Sequence, residues 1–396
     1  MRYKLFIPGP CEVDAEVLEA MAQPTPRHYG PEWMAIYLEA LGLLRQVFQT
    51  RNDLFVVPGT GSAVLDMAFG SLLATGETVV VGDNGFFGER LRAMAASYGL
   101  RVIPFTAPHG HPLDADDLRQ VLAQEPEARA VAVVHHETAT TVLNPLRELA
   151  EVTHQAGLPI IVDGISSLGG VSLPVDEWGI DVCVTVANKC LECPPGLAFI
   201  SVSSRAWEWV DRHGDQPHGW YLSLQTWRQY AADWADWHPY PVTLPTNNIL
   251  GLRVSLRRIL EEGLGAHFAR YRRAARAVRR GLEAVGFEML IEEPFASPIA
   301  TAVKARPEFE VRELMQYLAQ THGILVSGGL GPLAGKIFRV GHMGKAATRP
   351  YLMEFLFAVE EFLRQRRLAV PVGASLVGLA GTEGPGERQG AADDKR

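Results

Sequence analysis

Cysteine is scarce in this chain: Cys11, Cys183, Cys190 and Cys193 are the four among 396 residues. So few, so unevenly spaced, exclude the disulfide framework of a small secreted domain. Charge of one sign is also short. The net charge of −8 withholds the basic footprint that nucleic-acid binding needs, so no nucleic-acid partner is expected. The one arginine-rich stretch, 253–280, mixes its arginines with Ala, Leu and Val at helical spacing beside Glu261 and Glu262, the pattern of a solvated helix face. No run of about 18 apolar residues is available to cross a bilayer. The opening MRYKLFIPGP lacks a secretory apolar core, and the closing DDKR matches no peroxisomal or retention address. A soluble cytoplasmic protein with no membrane partner is the expectation.

What the chain does contain is ordinary globular material, 47% hydrophobic and 21% charged, long enough for two or three domains. Short β-branched runs bounded by Gly, Pro or Asn alternate with helical patterns over roughly the first 250 residues. That alternation predicts an α/β fold, a mostly parallel sheet with helices on both faces. A smaller α+β C-terminal domain should follow, with strands near 299–303, 324–327 and 336–340. The expected division is an extended N-terminal segment (1–15), a large domain (16–250), a small domain (251–368) and a flexible tail (369–396), the last because Gly, Pro and charge dominate it. The tryptophan-rich stretch after Val202 reads as loop.

The most informative stretch runs from Ile160 to Ser203. It holds three buried-strand patterns; Asp163 closes the first and Lys189 follows the second. Open α/β sheets bind ligands outside the carboxyl ends of their strands, which is where both residues fall. An amine and a carboxylate so placed suit a lysine Schiff base with pyridoxal phosphate (PLP), the acid holding the pyridine nitrogen protonated. Each residue alone is equally well explained as a solvated strand-end charge or a turn former.

Other features carry the same double reading. Pro58-Gly59-Thr60-Gly61-Ser62 joins a strand to a helix, so its backbone N–H groups suit an anion, although an ordinary capped turn has the same composition. It is neither a P-loop nor G-x-G-x-x-G. Phe86 and Phe87, in a Gly-flanked loop, suit stacking on a flat ring or anchoring to the core. His135-His136-Glu137 invites a metal, but adjacent histidines diverge, and Thr138 as a hydrogen-bond donor to a cofactor is the more economical role. Arg339 lies between Phe338 and Val340 and must meet either a structural acid or a ligand carboxylate. Cys190 and Cys193 form C-x-x-C without a second half-site, so neither metal nor redox use is expected and they read as part of the turn after Lys189.

Taken together, Pro8-Gly9-Pro10, FQTRN (48–52), GDNGFFGER (82–90), HHETATTVLNPL (135–146), VDGISSLGG (162–170), NKCLECPPGLAFIS (188–201) and GKIFRVGHMG (335–344) resemble the class V aminotransferases of PLP fold type I. Likeness is greatest to the alanine–, serine– and aspartate–glyoxylate enzymes and extends to about residue 368. The resemblance implies that Lys189 carries PLP and serves as general base, and that Asp163 pairs with the ring nitrogen. It implies that Phe87 stacks on the ring, Thr138 bonds near the ring hydroxyl, and Thr60, Gly61, Ser62 and Asn188 cradle the phosphate. Tyr240 and Thr243 match positions that reach the phosphate of a neighbouring subunit, which implies a homodimer with shared active sites. Arg339 would take the substrate carboxylate, with Gly9 and Ser167 close by. The implied reaction moves an amino group from a small L-amino acid to glyoxylate or pyruvate by ping-pong kinetics. NKC before PPG also resembles 2-aminoethylphosphonate–pyruvate and pyridoxamine–pyruvate transaminases. A cysteine desulfurase is disfavoured because no cysteine follows Cys193.

Overall fold

The computed structural model describes residues 3–213 and 219–380. In chain order its strands are β1 (Lys4–Phe6), β2 (Asp53–Gly59), β3 (Thr78–Asp83), β4 (Arg101–Thr106), β5 (Ala128–Val134), β6 (His136–Glu137), β7 (Val142–Leu143), β8 (Ile160–Asp163), β9 (Val182–Val186), β10 (Gly196–Val202), β11 (Ala300–Lys304), β12 (Ile324–Gly328) and β13 (Ile337–Gly341). Seven of them form one sheet in the order β2-β10-β9-β8-β5-β3-β4. β3, β4, β5, β8 and β9 run parallel, while β10 is antiparallel to both neighbours. The sequence dictates this burial: β3, β8 and β9 are mostly apolar runs rather than alternating ones, and every residue of each is buried. Helices such as Pro31–Phe48 and Gly61–Leu72 pack their apolar faces into the same core.

Register brings the strand ends to one edge. Val134 pairs with Asp163 and Asp163 with Val184, while Val186 pairs with Ala198 and Gly59 with Gly196. The carboxyl ends of β2, β5, β8 and β9 therefore open onto one crevice, the position at which such sheets bind ligands.

A second sheet, β1-β12-β13-β11, is built from both ends of the chain. β1 pairs in parallel with β12, so the N-terminal segment is a strand of the C-terminal layer rather than a free arm. Its core is separate, formed with the helices Leu264–Ala284, Val311–His322 and Arg349–Gln365. The helix Thr246–Glu262 contributes Ile249, Leu252, Leu256 and Ile259 to the first core, and the change of core falls between Ile259 and Tyr271 of the next helix. Gly263, at φ 83, takes the left-handed turn between the two long helices.

Two sequence expectations give way. The stretch after Val202 is not simply loop: Ser204–His213 and Leu224–Asp233 are helical. Side-chain hydroxyls start both, Ser203 accepting from the Ala206 N–H and Ser223 from that of Thr226. Composition also marks 369–380 as tail, yet Ala374–Leu379 is a packed 3-10 helix with Ser375 and Leu379 buried. The buried Glu360 carboxylate captures it, accepting from the N–H groups of Gly373 and Ser375 and from the Ser375 hydroxyl. Three bonds to one buried charge outweigh the turn-forming composition, at about 1.5–3 kcal/mol for each bond of this kind. Residues 381–396 of the expected tail lie outside the described residues.

Candidate active site

The crevice at the sheet edge is a cavity of about 310 Å³. Lys189 and Asp163 both line it. β8 delivers Asp163 at its last residue, and the turn after β9 delivers Lys189 three residues beyond Val186. Cys190 and Cys193 shape that turn: the Glu192 N–H returns to the Lys189 carbonyl, and that of Cys193 to the Ala187 carbonyl. All four cysteines are free and buried. Burial pushes the Cys193 thiol up to about 12 and that of Cys190 higher still, so both stay protonated and packed.

Burial also tunes the two charged groups. It lowers the Lys189 amine below its usual range, and the Arg339 guanidinium adds to this, while Asp163 works the other way. A lysine so placed gives up its proton more readily and suits a base or nucleophile. Burial raises the Asp163 carboxyl to about 6, opposed by the Ile165 N–H bond and by the charges of Lys189 and Arg90. The Lys189 Nζ donates to the Pro8 carbonyl. A Cβ on Gly9 would overlap the Lys189 side chain, and φ at Gly9 is 120, so only glycine fits there.

Opposite the lysine, Gly59, Thr60, Gly61 and Ser62 line the cavity at the start of the helix Gly61–Leu72. Thr60 makes no side-chain capping bond and its carbonyl takes the Ala63 N–H, so among the described residues the N–H groups of Gly61 and Ser62 are left for an anion. Asn188 and Thr138 line the cavity too. Phe87 forms another part of the wall, and Arg90 lies 5.1 Å from its ring centroid.

Arg339 approaches from β13. Its Nε donates to the Gly328 carbonyl at 2.9 Å and its Nη1 to the Thr138 carbonyl at 3.0 Å. Among the described residues Nη2 has no protein partner and no carboxylate pairs with this guanidinium, so the structural-acid alternative is not met. The side chain therefore joins the small sheet to the turn after β6 that carries Thr138.

Not every expected residue is brought here. Ser167 is fully buried with its hydroxyl 3.0 Å from His135 Nδ1, and its neighbour Ser166 takes the cavity wall. Tyr240 is fully buried elsewhere, its hydroxyl accepting from Trp33 Nε1 and donating to the His28 carbonyl. Thr243 is exposed and apart from this cavity.

Glu137 was set aside in the sequence as a doubtful metal ligand. Its buried carboxylate instead takes the N–H groups of Phe87 at 2.9 Å, Gly88 at 3.1 Å and Ala139 at 2.9 Å. It caps the helix Phe86–Ser97 and so fixes the ring of Phe87. Burial raises it to about 7 despite those three bonds. A glutamate three residues after a strand carries no mark of this in sequence, because its partners lie 49 and 50 positions away. His136 also lines the cavity; its Nδ1 lies 3.3 Å from the Ser166 carbonyl, and its buried Nε2 has no partner. Among the described residues no three His, Cys, Asp or Glu side chains are grouped to hold a metal ion.

A half-buried lysine, a buried carboxylate, a helix start and the ring of Phe87 around one cavity define the architecture of a PLP enzyme. The family model of Aminotransferase class-V matches residues 12–344, and the chain belongs to that family of PLP-dependent transaminases. An uncharacterized aminotransferase of Methanocaldococcus jannaschii is 38% identical over 348 residues, 88% of this chain and 89% of that protein. The L-aspartate–glyoxylate aminotransferase of Paracoccus denitrificans is 31% identical over 94% of each chain. The crystal structure of ureidoglycine–glyoxylate aminotransferase from Bacillus subtilis superposes with a TM-score of 0.91 at 27% identity, covering 96% of this chain and 98% of that one.

Proposed function

We propose that this enzyme transfers the amino group of a small L-amino acid to glyoxylate or pyruvate, alternating between the two substrates by ping-pong kinetics. One observation carries the reading: Arg339, with Nη2 free among the described residues, is tied by its own hydrogen bond to the carbonyl of Thr138, which lines the cofactor cavity. A guanidinium in that setting suits an α-carboxylate delivered next to the lysine. The similarity to aspartate–glyoxylate and ureidoglycine–glyoxylate enzymes supports glyoxylate as acceptor.

The residues fit PLP. In this reading Asp163 holds the ring nitrogen, Phe87 one ring face, Thr138 the ring hydroxyl edge, and Thr60, Gly61, Ser62 and Asn188 the phosphate. When bound, the cofactor supplies an aldehyde that accepts the amino group and a ring that withdraws electrons from the neighbouring carbon. The protein does the rest. Arg339 orients the substrate by its carboxylate and presents the α-carbon to the lysine. Lys189, its amine shifted by burial below the usual lysine range, would act as the base at the α-proton and hold it for return. Asp163, ionised opposite a cationic ring nitrogen, keeps that nitrogen protonated. The apolar ring of Phe87 and the burial of Asp163 strengthen this charge interaction.

We further infer a homodimer in which the exposed Thr243, with the segment anchored by Tyr240, completes the phosphate site of the partner. Two cores that change over between Ile259 and Tyr271 support a large cofactor-binding domain and a small carboxylate-binding one. Four free, buried thiols support a reducing, cytoplasmic setting.

Half-reactions test the substrate. PLP-loaded protein is mixed with alanine, serine, aspartate or 2-aminoethylphosphonate, and loss of the cofactor's visible absorbance is followed. Alanine, serine or aspartate should discharge the band, glyoxylate or pyruvate should restore it, and Lys189→Ala should lack it. Reaction with the phosphonate alone would overturn this choice of substrate.

A further inference from the structure

Glu192 stands three residues after Lys189 with φ at 52, the left-handed region that side chains other than glycine seldom adopt. Such a backbone persists only where surrounding contacts over-determine it. Glycine would meet the turn at less cost, so the carboxylate itself must repay the placement. Its Oε1 accepts from the Tyr271 hydroxyl at 2.7 Å and from Arg270 Nη2 at 3.3 Å, with His267 Nε2 3.8 Å away.

All three partners belong to the helix Leu264–Ala284, which packs into the second core. They do not stop there. The Tyr271 hydroxyl accepts from the Gly344 N–H at 3.1 Å, and Arg270 Nη1 donates to the Gly344 carbonyl at 3.1 Å. Gly344 opens the turn that follows β13, the strand carrying Arg339. Glu262 holds Arg270 from behind, at 2.8 and 2.9 Å. Burial works against that carboxylate, yet the bonds from His267 and Arg270 prevail and keep it down at about 2, so it stays charged.

We propose that Glu192 is a positioning residue for substrate binding: through Tyr271 and Arg270 it ties the Lys189 turn to the turn after the Arg339 strand, and so sets how far the guanidinium stands from the amine. The cluster touches no reacting atom. It acts on the geometry between the Lys189 turn, which packs into both cores through Cys190, Leu191 and Cys193, and the Arg339 strand of the second core. The inference rests on the transaminase reading, in which Arg339 takes the carboxylate.

The test uses full-length PLP-loaded protein and 2-methylalanine, an amino acid with a carboxylate to bind but no α-proton to lose. Its dissociation constant is read from the change in visible absorbance. Glu192→Gly, which relieves the backbone and removes the network, should weaken 2-methylalanine about tenfold and raise KM for reacting amino acids in parallel. PLP affinity and kcat should change by less than about threefold. Glu192→Gln keeps an acceptor for Tyr271 and should recover most of the loss. Tyr271→Phe, which keeps the ring and removes the shared hydroxyl, should repeat the effect if Glu192→Gly folds poorly. An unchanged dissociation constant in the soluble variants overturns the proposal, as does a loss confined to PLP affinity. If Arg339→Lys also leaves 2-methylalanine binding unchanged, the reading of Arg339 has failed rather than that of Glu192.

Discussion

The two halves of the site are made differently. The cofactor half is gathered mainly by one sheet: Asp163, Lys189 and Gly59 sit at or just past the carboxyl ends of β8, β9 and β2, and Thr138 follows β5 by way of the short strand β6. The carboxylate half is gathered across two sheets: Arg339 arrives on β13, Gly9 on the segment after β1, and their places depend on contacts with Thr138 and Lys189. Chemistry thus rests on secondary structure, whereas substrate selection rests on how two cores meet. Lesions in the first half should damage turnover, and lesions in the second should damage affinity.

The largest effect is expected on the sheet side. Asp163→Asn keeps an oxygen for the Ile165 N–H but cannot hold a proton on the ring nitrogen. Half-reaction rates should drop about a hundredfold or more while PLP still binds. A drop of less than about threefold would collapse the contrast. Next comes the far side: Arg339→Lys retains the charge but loses the bidentate fork and one of the two backbone bonds, so KM for amino donors should rise about tenfold with kcat nearly intact. If kcat fell instead, the division of labour would be wrong.

The smallest effect is on stability. Burial raises Asp163 to about 6 and Glu137 to about 7, both above their usual values. The folded chain therefore binds these protons more tightly than the unfolded one, and without cofactor it loses stability as pH climbs from about 4 through 7. A cationic ring nitrogen beside Asp163 cancels its share. The rise in Tm on PLP loading should be larger at about pH 8 than at about pH 5, by about 2 °C or more in thermal scans. An equal rise at both values would remove Asp163 from the ring nitrogen.

The same contrast governs what the sequence made legible. Asp163 and Lys189 announced themselves because strand-end charges after continuous apolar runs are a local pattern. The helices also followed their periodicity: the pattern over 31–48 is the helix Pro31–Phe48. What escaped was decided at long range. Glu137 reads as a stray acid until the helix Phe86–Ser97 is folded against it. Ser167 and Ser166 are adjacent and chemically alike, and only the backbone turn decides which of them meets the cavity. The 369–380 segment has a tail's composition, and a single buried glutamate at 360 overrules it. Tyr240 lies far from this cavity in a single chain because its environment is internal, built on Trp33 and His28.

The pairing of β1 with β12 has a consequence for how the enzyme is made. Residues 4–6 find their strand partner only at 324–326, and Gly9 packs on Lys189 from the same segment. During synthesis the large sheet can close from residues already outside the ribosome, but the first strand must wait until more than three hundred further residues have emerged. β1 is thus seated long after it is made, and the contacts of Pro8 and Gly9 with Lys189 are secured only once β12 has emerged.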